Sequence, residues 1–172
     1  MIAAIAARAA AESAVWGGMA RFPVEDAPLF GPVAGPPFDG GLETIYEGYL
    51  VHHGGRRAFA ATDRDDRVLL GDFLYAAGLV DVTAAGDVEA VATLAVLISL
   101  TAHARAEGGD VEDDGRLWLA AARHLAGPRD DRWRTACDAL RGHNPIPLRS
   151  LVARDGDSSP LLERHARYLA GR

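Results

Sequence analysis

Apolar residues recur at helical spacing along this chain, and no stretch alternates apolar with polar residues as a strand facing a core would. That pattern restricts the fold to helices packed on helices. The spacing predicts a first helix over 2–17, with Ile2, Ile5, Ala9 and Trp16 on one stripe and a stop at Gly17-Gly18. A second helix is expected over 41–53, where Leu42, Ile45, Tyr46, Tyr49 and His53 share a stripe while Glu43 and Glu47 lie off it. A third should start near Asp65 or Asp66, whose carboxylates suit a helix N-terminus, and reach Val80. A fourth runs from "GDVEA" to about Glu107. Its broad apolar face holds Val88, Val91, Leu94, Leu97 and Ile98, with Val96 and Leu100 opposite, so it is expected to be central and covered by neighbours. The fifth covers 113–126, capped by Asp113 or Asp114 and stopped by Gly127-Pro128, and the sixth covers 129–141, with Trp133, Ala136, Cys137 and Leu140 on one face. "HNPIPLRS" reads as a non-helical connector. A last helix follows, with Ser159 as N-cap and Pro160 at its first position.

Between the first two helices lies "RFPVEDAPLFGPVAGPPFDGG", a long Pro/Gly loop over about 21–41 that excludes helix and inner strand. Phe22, Leu29, Phe30 and Phe38 are expected to tuck against the helices. The expectation is one all-α domain over 1–172, a bundle-like packing of about six or seven helices. No basic surplus argues for nucleic acid: the net charge is -6, and every strong cation is arginine because the chain has no lysine. Cys137 is the only cysteine, which excludes an internal disulfide and a thiolate cage and fits a cytoplasmic setting. No run reaches the roughly 20 continuous apolar residues of a membrane span. Arg8 and Glu12 make the alanine-rich start an amphipathic helix rather than a signal peptide.

Asp72, in "VLLGDFLYAAGL", falls on a wheel among Val68, Leu69, Tyr75, Ala76 and Leu79. Burial of a carboxylate requires a partner, so Asp72 is expected to be buried and bonded to a neighbouring helix or loop, or to face a ligand. Gly71 and Gly78 share another face, where a neighbouring helix can approach closely.

The stretch "RVLLGDFLYAAGLVDVTAAGDVEAVATLAVLISLTAHARAEG" resembles the middle of the trans-polyprenyl diphosphate synthases, which have the all-α isoprenoid synthase fold. Leu70, Gly71 and Asp72 stand where that family has its "LAGD" signature, and Glu107-Gly108 closes the following long helix. Val51, His52 and His53 in "YEGYLVHHGGRR" stand where the family has its "LVHDD" helix. The resemblance covers about residues 41–109 and implies a truncated isoprenoid-synthase-like core. The family holds magnesium between two Asp-rich motifs. Here "HGGRRAF" replaces the first, the second is absent, "DRDDR" at 63–67 reads as a helix start, and no lysine is available to grip diphosphate. The chain is also shorter than a catalytic subunit. The closer likeness is to the small, non-catalytic subunit of two-component heptaprenyl diphosphate synthases, which implies a protein that works by pairing with a catalytic partner.

Three functions follow as expectations. The first is a non-catalytic helical protein acting by association, as a homodimer or as a heteromer with a prenyl synthase catalytic subunit, with the interface on the second to fourth helices. The second is a binding module for an apolar, isoprenoid-like small molecule, with Tyr46, Tyr49, His53, Asp72, Phe73 and Leu97 as ligand-binding residues. The third is a metal-dependent enzyme using His53, Asp72 and His103. His103 and Glu107 stand at the i, i+4 spacing of a bidentate metal pair, but a histidine near a helix C-terminus is favoured by the dipole alone. No cofactor, no catalytic residue and no metal site is assigned. His53 continues an apolar stripe as a core histidine, Cys137 behaves as a small hydrophobe, and the arginine-rich run 123–143 is interleaved with acids as a solvated face.

Overall fold

The computed structural model describes residues 1–22, 27–153 and 159–170. Ten helices form among these residues: α1 (Ile2–Glu12), α2 (Ala14–Met19), α3 (Gly31–Ala34), α4 (Asp39–His52), α5 (Arg64–Thr83), α6 (Val88–Ala106), α7 (Val111–Ala126), α8 (Asp131–Arg141), α9 (Ile146–Ala153) and α10 (Ser159–Leu169). No strand forms among the described residues. An isolated antiparallel bridge joins Ala20 to Phe59. The architecture is all-α and bundle-like, as the periodicity requires.

The helix count exceeds the expected six or seven for local reasons. The first helix breaks at Ser13, which is extended at φ -146°, so α2 starts afresh. Two segments read as non-helical contain short helices, α3 in the Pro/Gly stretch and α9 in "HNPIPLRS". Both place a proline, Pro32 or Pro147, at the second helical position, where its missing N–H is not needed. Leu29, Phe30 and Phe38 are buried as expected, but Phe22 is exposed. Part of the Pro/Gly loop, 23–26, lies outside the described residues, as do positions 154–158 before α10. Asp63 caps α5, its side chain accepting from the amides of Asp65 and Asp66, so "DRDDR" is a helix start. Asp110, not Asp113 or Asp114, caps α7, and Asp130 caps α8.

The central helix is α4, not α6. Every residue of α4 from Gly41 to Val51 is buried. The larger core cluster joins α4 to α3, α6, α7, α8 and α9, and Tyr168 joins it from α10. A second cluster on the other side joins α1 to Val51, Ala58, Phe59, Leu70 and Leu74. α6 lies at the edge: it buries Ala90, Thr93, Leu94, Leu97, Leu100 and Thr101 and leaves Val88 82% exposed. By length and composition alone, α6 is the one helix among the described residues apolar enough to cross a membrane, with 33% of its most apolar window buried.

The closest helix pairing is α4 against α5, antiparallel, and its cause is a matched pair of glycine spacings. Gly41 and Gly48 face Gly78 and Gly71, each pair one heptad apart. A Cβ on Gly78 would lie 2.6 Å from the Gly41 carbonyl oxygen, and one on Gly48 would lie 3.0 Å from the Gly71 carbonyl oxygen. The two backbones therefore touch, and no side chain fits between them. The sequence signals the close approach through Gly71 and Gly78. Gly78→Ala should lower unfolding free energy by about 1–3 kcal/mol, because the clash is with backbone, and urea denaturation measures it. Gly40→Ala, where a Cβ meets nothing within 4 Å, is the control and should not destabilise.

Candidate functional site

Three features could carry function: a charged cluster in the core, an acidic cleft, and the outer face of α5.

The charged cluster starts with Glu43 and Glu47, one turn apart on α4. Both were placed off the apolar stripe by periodicity, and both are fully buried. Glu43 accepts from the backbone amides of Leu29, Phe30 and Gly31, at 2.9, 3.0 and 2.7 Å, and so holds the start of α3. Arg57, itself buried, donates to Glu43 from Nη1 at 2.5 Å and to Glu47 from Nε. Its guanidinium also lies 5.0 Å from the Tyr46 ring centroid and 5.3 Å from that of Tyr168. Burial pushes the Glu47 carboxyl up, with Arg57 opposing. Burial also works against the Arg57 charge, but Glu47 and Glu43 outweigh it and raise the guanidinium further. Glu47 Oε2 and Arg57 Nη2 make no hydrogen bond among the described residues. The cluster is closed to solvent and its charges face one another.

Two tyrosines extend polarity through the core. The Tyr46 hydroxyl lies 2.9 Å from His165 Nδ1, and the Tyr49 hydroxyl donates to Asp114 Oδ2 at 2.8 Å. Arg105 lies 3.6 Å from the same Asp114 oxygen. Burial raises Asp114 to about 6, against the Tyr49 bond and the Arg105 charge. Burial, then Arg105, lowers His165 to about 3. Burial, then Arg105 and His52, lowers His53 to about 4. Asp114 also forms part of the wall of a cleft of about 180 Å³ with His103, Glu107, Asp110, Asp113 and His143. The cleft gathers His103 and Glu107, as their spacing suggests, and the His103 and His143 rings are 5.9 Å apart. No group of three or more His, Cys, Asp and Glu side chains among the described residues is placed to hold a metal ion.

Asp72 requires a correction. Its side chain is 66% exposed, and its contact is with His52 Nε2 at 3.2 Å. The stripe it belongs to is the outer face of α5: Leu69 is 60% exposed, Val80 is 61% exposed, and Val68 and Ala76 are also exposed. Tyr75 and Leu79 are half-buried at its margin. The buried face is the other one, with Leu70, Gly71, Leu74, Ala77, Gly78 and Val82. Both faces have helical period. The glycine face wins because it lets α4 approach to backbone contact.

The expected ligand-binding residues divide accordingly. Tyr46, Tyr49 and Leu97 are fully buried in the larger core cluster, and His53 lies half-buried against the Tyr49 ring, 4.7 Å away. Phe73 lies on the other side with the second cluster, 4.7 Å from the Trp16 ring, and Asp72 points outward. His53, Asp72 and His103 are likewise not gathered: Asp72 contacts His52, while His103 borders the acidic cleft. Cys137 is buried, and burial raises its thiol to about 12. Sequence reasoning missed Glu43, Glu47, Arg57, Asp114 and His165. The available signal was two glutamates one turn apart around Tyr46, followed by Arg56-Arg57 after a glycine pair.

No family model, no curated protein and no solved structure matches the chain.

Two predictions test the cluster and its extension. Arg57→Met should cost about 3–5 kcal/mol, because it leaves two buried carboxylates without a cation; thermal denaturation checks it. The pH dependence follows from the shifted groups. His53 and His165 titrate lower in the fold than unfolded, so they lose stability as pH falls from about 6.5 toward 4. Asp114 titrates higher in the fold, so it gains stability over the same fall, from about 6 toward 4. Burial lowers His52 and His124 in the same direction and raises Glu47 as it does Asp114, so four histidines oppose two carboxylates and urea midpoints should be lower at pH 4.5 than at pH 7. Asp114→Asn should steepen that drop.

Proposed function

We propose that this protein acts by association, without chemistry of its own, and that the outer face of α5 is its contact surface. The observation behind this reading is the stripe from Val68 to Val80. It has the apolar periodicity of a core face, yet the described residues leave it uncovered, with Leu69 and Val80 each about three-fifths exposed. Val15 on α2 and Val88 at the start of α6 are further exposed apolar residues. The buried acids support the same reading, because Glu43 and Glu47 face Arg57 inside the core and not a cleft.

The resemblance to the non-catalytic subunit of heptaprenyl diphosphate synthases supplies the partner class: a second copy, or a prenyl synthase catalytic subunit. Sedimentation of the purified chain, alone and mixed with a purified prenyl synthase from the same host, tests the proposal. Assembly is expected in at least one of the two. Leu69→Asp with Val80→Asp should abolish it while changing stability by no more than about 0.5 kcal/mol per site. A monomer that stays free of the synthase would overturn the reading.

A further inference from the structure

We propose that the cavity between α6 and α8 is a binding site for a small, uncharged molecule of single-ring size that carries a hydrogen-bond acceptor. The inference does not rest on the association reading.

The cavity holds about 190 Å³ and is bordered by Ala92, Thr93 and Val96 of α6, His124 near the end of α7, and Trp133 and Cys137 of α8. An apolar cavity of about 150 Å³ takes a molecule the size of benzene, so a single ring fits. Two of the bordering side chains carry polar groups without a partner. Thr93 is 4% exposed. The other hydroxyls of α6, on Ser99 and Thr101, each donate to a carbonyl one turn back, Ala95 or Leu97. The Thr93 hydroxyl makes no hydrogen bond among the described residues, and it is not sealed in the core. Trp133 is 7% exposed, and its indole N–H also has no partner among the described residues, yet it is not sealed as that of Trp118 is. Such groups are costly to keep from water unbonded, and a ligand that bonds to them removes the cost. Trp133, His124 and Asp130 also border a neighbouring cavity of about 210 Å³, so Thr93 and Val96 mark the one proposed here.

Charge in the wall gives the class of the ligand. Arg129 bridges to Asp87 at 2.6 Å and to Glu89 at 3.6 Å, Arg134 pairs with Asp131 at 3.0 Å, and Arg141 pairs with Asp138 at 2.5 Å. Asp130 accepts from the Arg132 amide and pairs with its guanidinium. Every charged group bordering the cavity is thus matched. Burial, then Arg129, holds His124 below its ordinary value, so its ring is neutral near pH 7. An ionised ligand would lose hydration here without gaining a free counter-charge. An indole N–H only donates, so the ligand supplies an acceptor, and the Thr93 hydroxyl can donate or accept. Ala92, Val96 and Cys137, whose thiol burial raises to about 12, keep the rest of the wall apolar and uncharged.

Nitrogen-15 NMR tests the site with three probes of similar size. Acetophenone carries a carbonyl, cumene has its shape without the oxygen, and benzoate has its ring with a charge. The chain has three tryptophans, and Trp133→Phe assigns the Trp133 indole signal. Acetophenone at millimolar concentration should shift that signal saturably, with cumene binding more weakly and benzoate more weakly still. Thr93→Val should lower acetophenone affinity about three- to tenfold and leave that of cumene unchanged, while Thr93→Ser retains both; circular dichroism checks that each variant folds. Val96→Trp, which fills this cavity and not its neighbour, should abolish the shift. Absence of saturable acetophenone binding, or benzoate binding as tightly, would overturn the proposal. So would undiminished acetophenone binding in folded Thr93→Val or Val96→Trp chains.

Discussion

The position of Arg57 between Glu43 and Glu47 is the constraint around which the rest of the structure is arranged. A guanidinium keeps its charge at any ordinary pH, so its burial demands carboxylates, and the two on α4 supply them. Glu43 in turn fixes α3 through three backbone amides, and Tyr46 and Tyr168 lie close to the guanidinium. One buried cation thus ties together α4, the loop after it, α3 and α10. Such a cluster adds little net stability compared with apolar packing. Its effect is that any other docking of these segments leaves charge in the core without a partner.

The glycine contact between α4 and α5 works alongside the cluster. Backbone contact along one face of α4 leaves its remaining faces to carry side chains into two separate apolar clusters. That is why α4 is buried all round although it contains two glutamates. It is also why α6, more apolar in sequence, can remain at the edge. Burial here follows from which helices approach closest, and small residues decide that more than hydrophobic ones do.

The helical period, the punctuation by Gly, Pro and Asp, and the start of α5 at "DRDDR" were legible because each is a local property. The assignment of faces was not. On α5 the large apolar residues and the glycines mark two different faces, and a wheel weighted by hydrophobicity selects the larger side chains. On α4, Glu43 and Glu47 read as solvent-facing because Arg57, which makes their burial tolerable, lies beyond the end of the helix. Asp114 and His165 were invisible for the same reason: their partners, Tyr49 and Tyr46, are 65 and 119 residues away. Sequence periodicity carries no record of pairings across such separations. α3 and α9 escaped notice because proline was read as a breaker when it occupies a first turn.

The docking of α10 has a consequence for the order of assembly. His165 meets Tyr46, Tyr168 lies beside Arg57, and the Tyr168 carbonyl accepts the Arg56 amide, all contacts between the middle of the chain and one of its last described segments. Contacts of such long sequence separation form late, after the loops between them have closed. The Tyr168 side of the guanidinium therefore cannot be covered until the more than one hundred residues that separate it from Arg57 have been made.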